Sequence, residues 1–389
     1  MSQQILDGIR DLLPAIRERA DETERLREVP EQSVKEIEET GFFQILQPKR
    51  YGGHEVEDPT LFYQIVKEIA GACGSTAWIC SVLGIHPWQV ALFPDEAQKE
   101  VWGENPKVRL SSSYAPTGKA IQAEGGFKLS GRWSFSSGCA HATWVLLGGL
   151  VFNAEGQVVD FRTFMIPRDK YEIVDTWNVV GLAGTGSNDI VVEETFVPEA
   201  FTLSMSETGM CQGPGQAVNT SNLYKLPFHS LFTSCISTPI IGMAQGAYAE
   251  HVEMQKSRVR AAYAGEKASL DPFAAVRIAR ASSEIDAAWA LLMNNIREEM
   301  AIVEKGEKIP LSLRLKVRRD QVLGTQRAID AIDSLFEASG ARALTTGTYL
   351  QRAWRDAHAG RVHAANDPER ALQMFGASEF GHKIDPGMY

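Results

Sequence analysis

The chain has 389 residues, 44% of them hydrophobic and 23% charged, with a formal net charge of −10. That size and balance suit a globular protein of two or three substructures, and no apolar run is long enough to span a bilayer. The acidic balance argues against nucleic acid as a partner, because a surface that tracks phosphates needs a basic excess. The N-terminus has no basic segment leading into an apolar core, so no secretory signal is expected. Ile5, Ile9, Leu12, Leu13 and Ile16 then recur on one face of a first helix, and Gly41 marks the end of a later one. Asp58-Pro59 supplies a cap and a favourable first position for a helix with Leu61, Phe62, Ile65, Val66 and Ile69 on its apolar side. Residues 73–93 are apolar and rich in small side chains, which predicts a buried helix carrying Trp78 and His86.

From Arg109 the period changes. Residues 111–114, 127–135, 143–152, 162–166 and 190–197 are β-branched or aromatic, with Glu124-Gly125-Gly126 as a hairpin turn. Residues 202–222 have loop composition, and a stretch this long is a linker, a disordered piece or a functional lid. Helical period returns over 229–262, 272–305, 311–339 and 345–360, the pattern of a bundle. The fold class is α+β, with an N-terminal helical domain (1–108), a central β domain (109–212) and a C-terminal four-helix bundle (213–389). Residues 228–249 hold more apolar surface than one helix face needs, which predicts burial against further subunits.

Familiar catalytic motifs are missing. Gly181-Leu182-Ala183-Gly184-Thr185-Gly186 lacks the third glycine of a dinucleotide fingerprint, and there is no Gly-x-Ser-x-Gly elbow, Walker loop or His-Glu-x-x-His. Five cysteines without metal-ligand spacing read as reduced thiols in a cytoplasm. His358 and His363 stand five apart, a step that turns them away from each other on a helix, so no metal site is expected. A lone His86 on a buried helix reads as a satisfied core residue unless a ligand lies beside it. Ser136-Ser137-Gly138 offers hydroxyls and bare backbone to the edge of a planar heteroaromatic ring, a composition that a solvated hairpin shares.

Several segments in order and spacing resemble the acyl-CoA dehydrogenase family. They are Ser113-Tyr114-Ala115, Ser136-Ser137-Gly138, the run from Trp177 to Asp189, the run from Gly246 to Arg258, Ser339-Gly340-Ala341-Arg342, and Gln351-Arg352-Ala353-Trp354-Arg355-Asp356. The resemblance implies a helical domain, a β-barrel-like domain and a four-helix bundle, usually in a homotetramer with flavin near the subunit interface. In many members a glutamate eight positions after the Arg-Asp pair takes a proton from an acyl thioester. Here that position is Ala364, preceded by His363.

Gly74-Ser75-Thr76-Ala77-Trp78, Ser111-Ser112-Ser113-Tyr114-Ala115-Pro116, Asp271-Pro272-Phe273-Ala274 and the run from Trp354 to Arg370 are more specific. They resemble the oxygenase components of two-component flavin-dependent monooxygenases, in particular members that act on a secosteroid phenol in bacterial steroid breakdown. The implied co-substrates are dioxygen and a diffusible reduced flavin, FMNH2 or FADH2, made by a separate NADH-dependent flavin reductase. The implied reaction is ortho-hydroxylation of a phenolic small molecule to a catechol through a flavin 4a-hydroperoxide. Ser137, with Ser136 beside it, would bond the central-ring nitrogen, and His363 would act from the opposite side. His86 with Ser112 would grip the phenol hydroxyl, the ordinary histidine pKa of ~6.5 permitting proton exchange near neutrality. Further cofactor contacts fall on Trp78, Ser113, Tyr114, Ala115, Gly138, Ala341 and Ala364. Trp78 serves equally well as core filler. Arg258 and Arg342 would hold the flavin phosphate, or be plain surface cations. Residues 202–228 would line the substrate entrance. The competing readings are an acyl-CoA dehydrogenase with a relocated base, an oxygenase acting on sulfur, nitrogen or indole substrates, and a catalytically inactive binding module.

Overall fold

The computed structural model describes residues 2–260 and 265–384. The N-terminal part comprises α1 (Ser2–Glu18), α2 (Ala20–Leu26), α3 (Glu31–Glu39), α4 (Thr60–Ala70), α5 (Gly74–Val90) and α6 (Asp95–Trp102). The amphipathic α1 buries Ile5, Leu6, Ile9 and Ile16. The Asp58 carboxylate accepts the Thr60 amide at 2.9 Å and so starts α4.

The middle of the chain forms β1 (Leu110–Ala123), β2 (Gly126–Ser136), β3 (Trp144–Phe152), β4 (Val158–Pro167), β5 (Glu172–Val174), β6 (Asn188–Pro198) and β7 (Thr202–Ser204). They build one seven-stranded sheet in the order β5-β6-β2-β1-β3-β4-β7. β1 and β3 run parallel and the other pairs antiparallel. The expected barrel-like domain is thus an open mixed sheet with β5 and β7 at its edges. Two irregularities aim side chains out of this sheet. The β1–β3 register shifts between Ser113 and Gly118, freeing Tyr114 from the ladder. A β-carbon on Gly148 would lie 2.4 Å from the Tyr114 carbonyl oxygen, so only glycine lets the two strands approach there. The β2–β6 register shifts between Trp133 and Ser136, where Phe135 takes a φ of +69° and points outward.

The C-terminal part contains α7 (Met205–Gly209), α8 (Phe228–Ser257), α9 (Pro272–Glu304), α10 (Leu311–Ser339), α11 (Tyr349–Arg361) and α12 (Pro368–Glu379). α8, α9, α10 and α11 are the four bundle helices expected, and α12 packs on α10 beside them. Residues 202–222 differ from a structureless loop. They hold β7 and α7, and Asn219 Nδ2 donates to the Ala91 carbonyl at 2.8 Å, strapping the segment to the end of α5. The helix expected to reach Ala262 stops at Ser257, followed by an extended Val259–Arg260; Ala261 and Ala262 lie outside the described residues.

The core centres on α5 and α8. All 17 residues of α5 are buried. The apolar segment of α8, expected to face other subunits, is buried within this one chain by α4, α5, α10 and α11. That correction follows from its central place in the bundle. Pro239 inside α8 removes the amide that would serve the Cys235 carbonyl, and Ser81 Oγ from α5 donates to that oxygen at 2.5 Å instead. Among the described residues no helix is long and apolar enough to cross a membrane.

Candidate active site

The site grows from the N-terminal half of α5. Trp78 donates its indole N–H to Ser137 Oγ at 3.2 Å, while its ring meets the His363 ring edge-on with centroids 5.9 Å apart. Trp78 therefore sits between the serine and the histidine that the sequence placed on opposite sides. α11 approaches closely because Gly360 is bare: a β-carbon there would lie 2.9 Å from the Trp78 ring. Ser137 continues into a ladder of hydroxyls, with Ser187 Oγ at 2.7 Å and Thr185 Oγ1 a further 2.7 Å on. Ser136 Oγ donates to Ser111 Oγ at 3.1 Å and Ser113 Oγ to the Ser134 carbonyl at 2.8 Å, so both are spent on joining β1 to β2. Gly138 (φ +70°) turns the chain beneath them.

His363 lies just beyond α11. Its Nδ1 accepts the Ala365 amide at 3.0 Å, which puts the ring hydrogen of the neutral imidazole on Nε2 and makes that atom a donor. Burial and the nearby Arg318 push its pKa down to about 4, so the ring is neutral at pH 7. Ala364 is exposed and brings no base.

His86 has the opposite polarity. Its Nδ1 contacts the Val82 carbonyl, which can only accept, so the hydrogen sits on Nδ1 and Nε2 is a bare acceptor. Nε2 is buried without a partner among the described residues. Burial pushes the His86 pKa down to about 4, which corrects the expectation of proton exchange near neutrality. One turn further along α5, Gln89 Nε2 is also buried and unpartnered, while its Oε1 accepts from the Tyr114 hydroxyl. Ser112 bonds the same hydroxyl, which burial pushes well above the ordinary phenol range. The Tyr114 ring stacks on His86 at 6.3 Å and meets Phe232 edge-on at 5.1 Å. Tyr114, placed by the sequence among the cofactor contacts, thus has its ring on the His86 side.

The remaining expected contacts lie elsewhere. Arg258 donates to the Ala338 carbonyl at 2.8 Å and lies by Gly340, close in sequence to the exposed Ala341 and Arg342. Ile240 packs at the level of Trp78, so Arg258 stands roughly 27 Å further along α8. Ala115 is exposed beside the β1 irregularity. Four residues received no site role from the sequence. Thr185 and Ser187 lay inside a motif that was recognised, and the one-turn spacing from His86 could have drawn attention to Gln89. Asp356 is the fourth: its Oδ1 accepts the Leu182 amide at 2.6 Å, pinning the loop that carries Thr185 and Ser187 onto α11. Burial pushes this carboxyl up to about 6.

The donor set fits a flavin ring. Ser137 keeps an unused lone pair, His363 presents an N–H, and exposed Phe135, Val180 and Val362 offer apolar cover to a flat ring. Residues 2–105 match the model of the acyl-CoA dehydrogenase N-terminal domain and residues 234–368 that of its C-terminal domain. The chain is 56% identical to the oxygenase subunit HsaA of a flavin-dependent monooxygenase from Rhodococcus jostii, covering 97% of this chain and 98% of that one. The crystal structure of 3-HSA hydroxylase from Rhodococcus sp. RHA1 superposes with a TM-score of 0.96 at 55% identity, covering 99% of each chain. An FADH2-dependent resorcinol hydroxylase oxygenase component from Rhizobium is 34% identical over 96% of this chain and 92% of its own. A missing glutamate, a histidine in its neighbourhood and near-complete overlap with these proteins lead to one assignment: the chain belongs to the acyl-CoA dehydrogenase family, as an oxygenase subunit of a flavin-dependent monooxygenase.

Proposed function

We propose that this oxygenase subunit hydroxylates a phenol ortho to its hydroxyl, giving a catechol, and that the phenol is a secosteroid. The observation that carries the reading is the pair of buried, unpartnered atoms one turn apart on α5, the acceptor His86 Nε2 and the donor Gln89 Nε2. A phenol hydroxyl both donates and accepts, so it satisfies both atoms at once. Tyr114, Phe228 and Phe232 pack ring against ring beside them and supply apolar walls for an aromatic substrate. The 3-HSA hydroxylase name of a close structural neighbour supports the secosteroid assignment.

Bound reduced flavin supplies the two electrons that activate dioxygen. Ser137, held in place by the Trp78 indole, meets the polar edge of the ring, His363 offers Nε2–H on the other side, and Arg258 with Arg342 take the phosphate. Because Arg258 stands far along α8 from Trp78, with Arg342 in the turn after α10 close to it, the phosphate contacts come from a second copy of the chain, in a homotetramer. Exposed Leu270, Phe273 and Leu344 favour such an assembly. His86 Nε2 accepts the hydrogen bond of the phenol hydroxyl and so orients the ring while staying neutral. The reduced flavin comes from a separate reductase that uses NADH, and the protein works in the cytoplasm, in keeping with five unpaired cysteines.

The test is to reduce flavin anaerobically, mix it with the protein, and add oxygenated buffer with a panel of phenols. Catechol should form only when reduced flavin is supplied, and none with NADH alone. Oxidation of NADH by the isolated chain, or no product from any phenol, would overturn the reading.

A further inference from the structure

The hydroxyl ladder behind Ser137 has a direction. Thr185 Oγ1 lies 2.8 Å from the Leu182 carbonyl oxygen, which carries no hydrogen, so the threonine must spend its single hydrogen there or suffer two facing lone pairs. The same carbonyl also accepts from the Trp177 indole at 3.0 Å and the Thr185 amide at 3.1 Å, which anchors it as the end of the chain. With Thr185 committed, the 2.7 Å contact between Thr185 and Ser187 requires Ser187 to donate. With Ser187 committed, the 2.7 Å contact between Ser187 and Ser137 requires Ser137 to donate. Ser137 meanwhile accepts from the Trp78 indole, which has a hydrogen to give and no lone pair to offer. A hydroxyl has one hydrogen and two lone pairs. Both Ser187 and Thr185 are buried, so water does not reset the order. The capacity left on Ser137 is one lone pair.

We propose that Thr185 and Ser187 fix the polarity of Ser137 so that it can only accept from a bound flavin, and that this makes the site select the reduced ring. The central-ring nitrogen of a reduced flavin carries a hydrogen, whereas in the oxidised ring the same nitrogen is a bare acceptor. Reduced flavin meets a waiting lone pair; oxidised flavin sets lone pair against lone pair. The inference rests on the flavin reading above and adds to it residues that do not touch the ring. Thr185 and Ser187 are positioning residues, acting through Ser137. The selection suits a subunit that must capture reduced flavin from another protein and release the oxidised form after each turnover.

The test is anaerobic equilibrium titration of the full chain with FMN and FAD, each in both redox states, followed by spectroelectrochemistry of the bound flavin. The wild type should bind the reduced form more tightly. Thr185→Val frees the hydrogen of Ser187 to point at Ser137, and Ser187→Ala removes the acceptor that Ser137 serves. In either variant Ser137 can turn its hydrogen toward the ring, and the preference for reduced flavin should fall by about tenfold. For a two-electron couple that lowers the bound midpoint potential by about 30 mV. Thr185→Ser keeps the hydroxyl and should restore the preference. Equal loss of affinity for both redox states would mean a merely structural role and overturn the proposal. So would a preference that survives in both variants, or a wild type that binds oxidised flavin as tightly as reduced. The last comparison needs no variant to fold. Failure of the wild type to bind flavin in either state would instead sink the flavin reading itself.

Discussion

Replacing His86 with phenylalanine tests the substrate side of the site on two independent scales. The Val82 carbonyl already receives the His86 backbone amide in the helical pattern, so the ring can be exchanged without orphaning it. In the fold, burial lowers the His86 pKa from 6.5 to about 4. The unfolded chain therefore takes up a proton that the fold refuses. The associated stability is present above pH 6.5 and is lost as pH falls through 4. At pH 5 that single group costs about 2 kcal/mol relative to pH 8. Urea unfolding of His86→Phe should show a shallower acid loss by about that amount. On the binding scale, the phenol hydroxyl loses its buried acceptor, a penalty of about 1–3 kcal/mol, or roughly 5- to 150-fold in affinity. Equilibrium dialysis with reduced flavin under anaerobic conditions measures this, with the methyl ether of the same phenol as the control. The ether has no hydrogen to donate, so its affinity should change little. If phenol and ether lose affinity equally, or the phenol loses none, His86 does not receive the hydroxyl.

Further substitutions address two other groups, His363 and Glu299. His363→Ala should keep flavin binding and oxygen consumption but release hydrogen peroxide, with catechol per oxygen falling by about 10²-fold. His363→Asn retains an acceptor for the Ala365 amide, so it should uncouple equally while sparing the ~1 kcal/mol that loss of the cap costs in unfolding assays. His358, whose Nδ1 contacts the Trp354 carbonyl at 2.7 Å, is the control, and uncoupling in His358→Ala alone would show the wrong histidine was chosen. Glu299 is fully buried on α9, accepts from Ser230 at 2.7 Å, and is pushed by burial from 4.5 up to about 8. The stability its protonated form contributes is fully present below pH 4.5 and is lost as pH rises through 8. Glu299→Gln should therefore be more stable than wild type at pH 8.5, by roughly 4 kcal/mol, and equal to it below pH 4.5. Parallel unfolding curves for the two proteins across that range would refute the assignment.

The sequence alone determined the helical, β and helical order of the chain, because period and turn chemistry are local. Alternation of β-branched residues after Arg109, the cap at Asp58 and the small, largely apolar character of α5 each depend on neighbours within a few positions. It also held the candidate-site motifs, since the Ser136-Ser137-Gly138 turn, the run from Trp177 to Asp189 and His363 in place of a glutamate's neighbour are contiguous words. What remained hidden depended on contacts across the chain. The apolar surplus of α8 looked like an interface because nothing local reveals that α4, α5, α10 and α11 enclose it. The 202–222 segment looked like a free loop because its anchors, Ala91 and β4, lie far away in sequence. Most of all, the chemistry of the two histidines could not be read from their identity. The Val82 carbonyl makes His86 an acceptor, and the Ala365 amide makes His363 a donor. Burial holds both neutral, and only packing could decide that two copies of one residue type do opposite things.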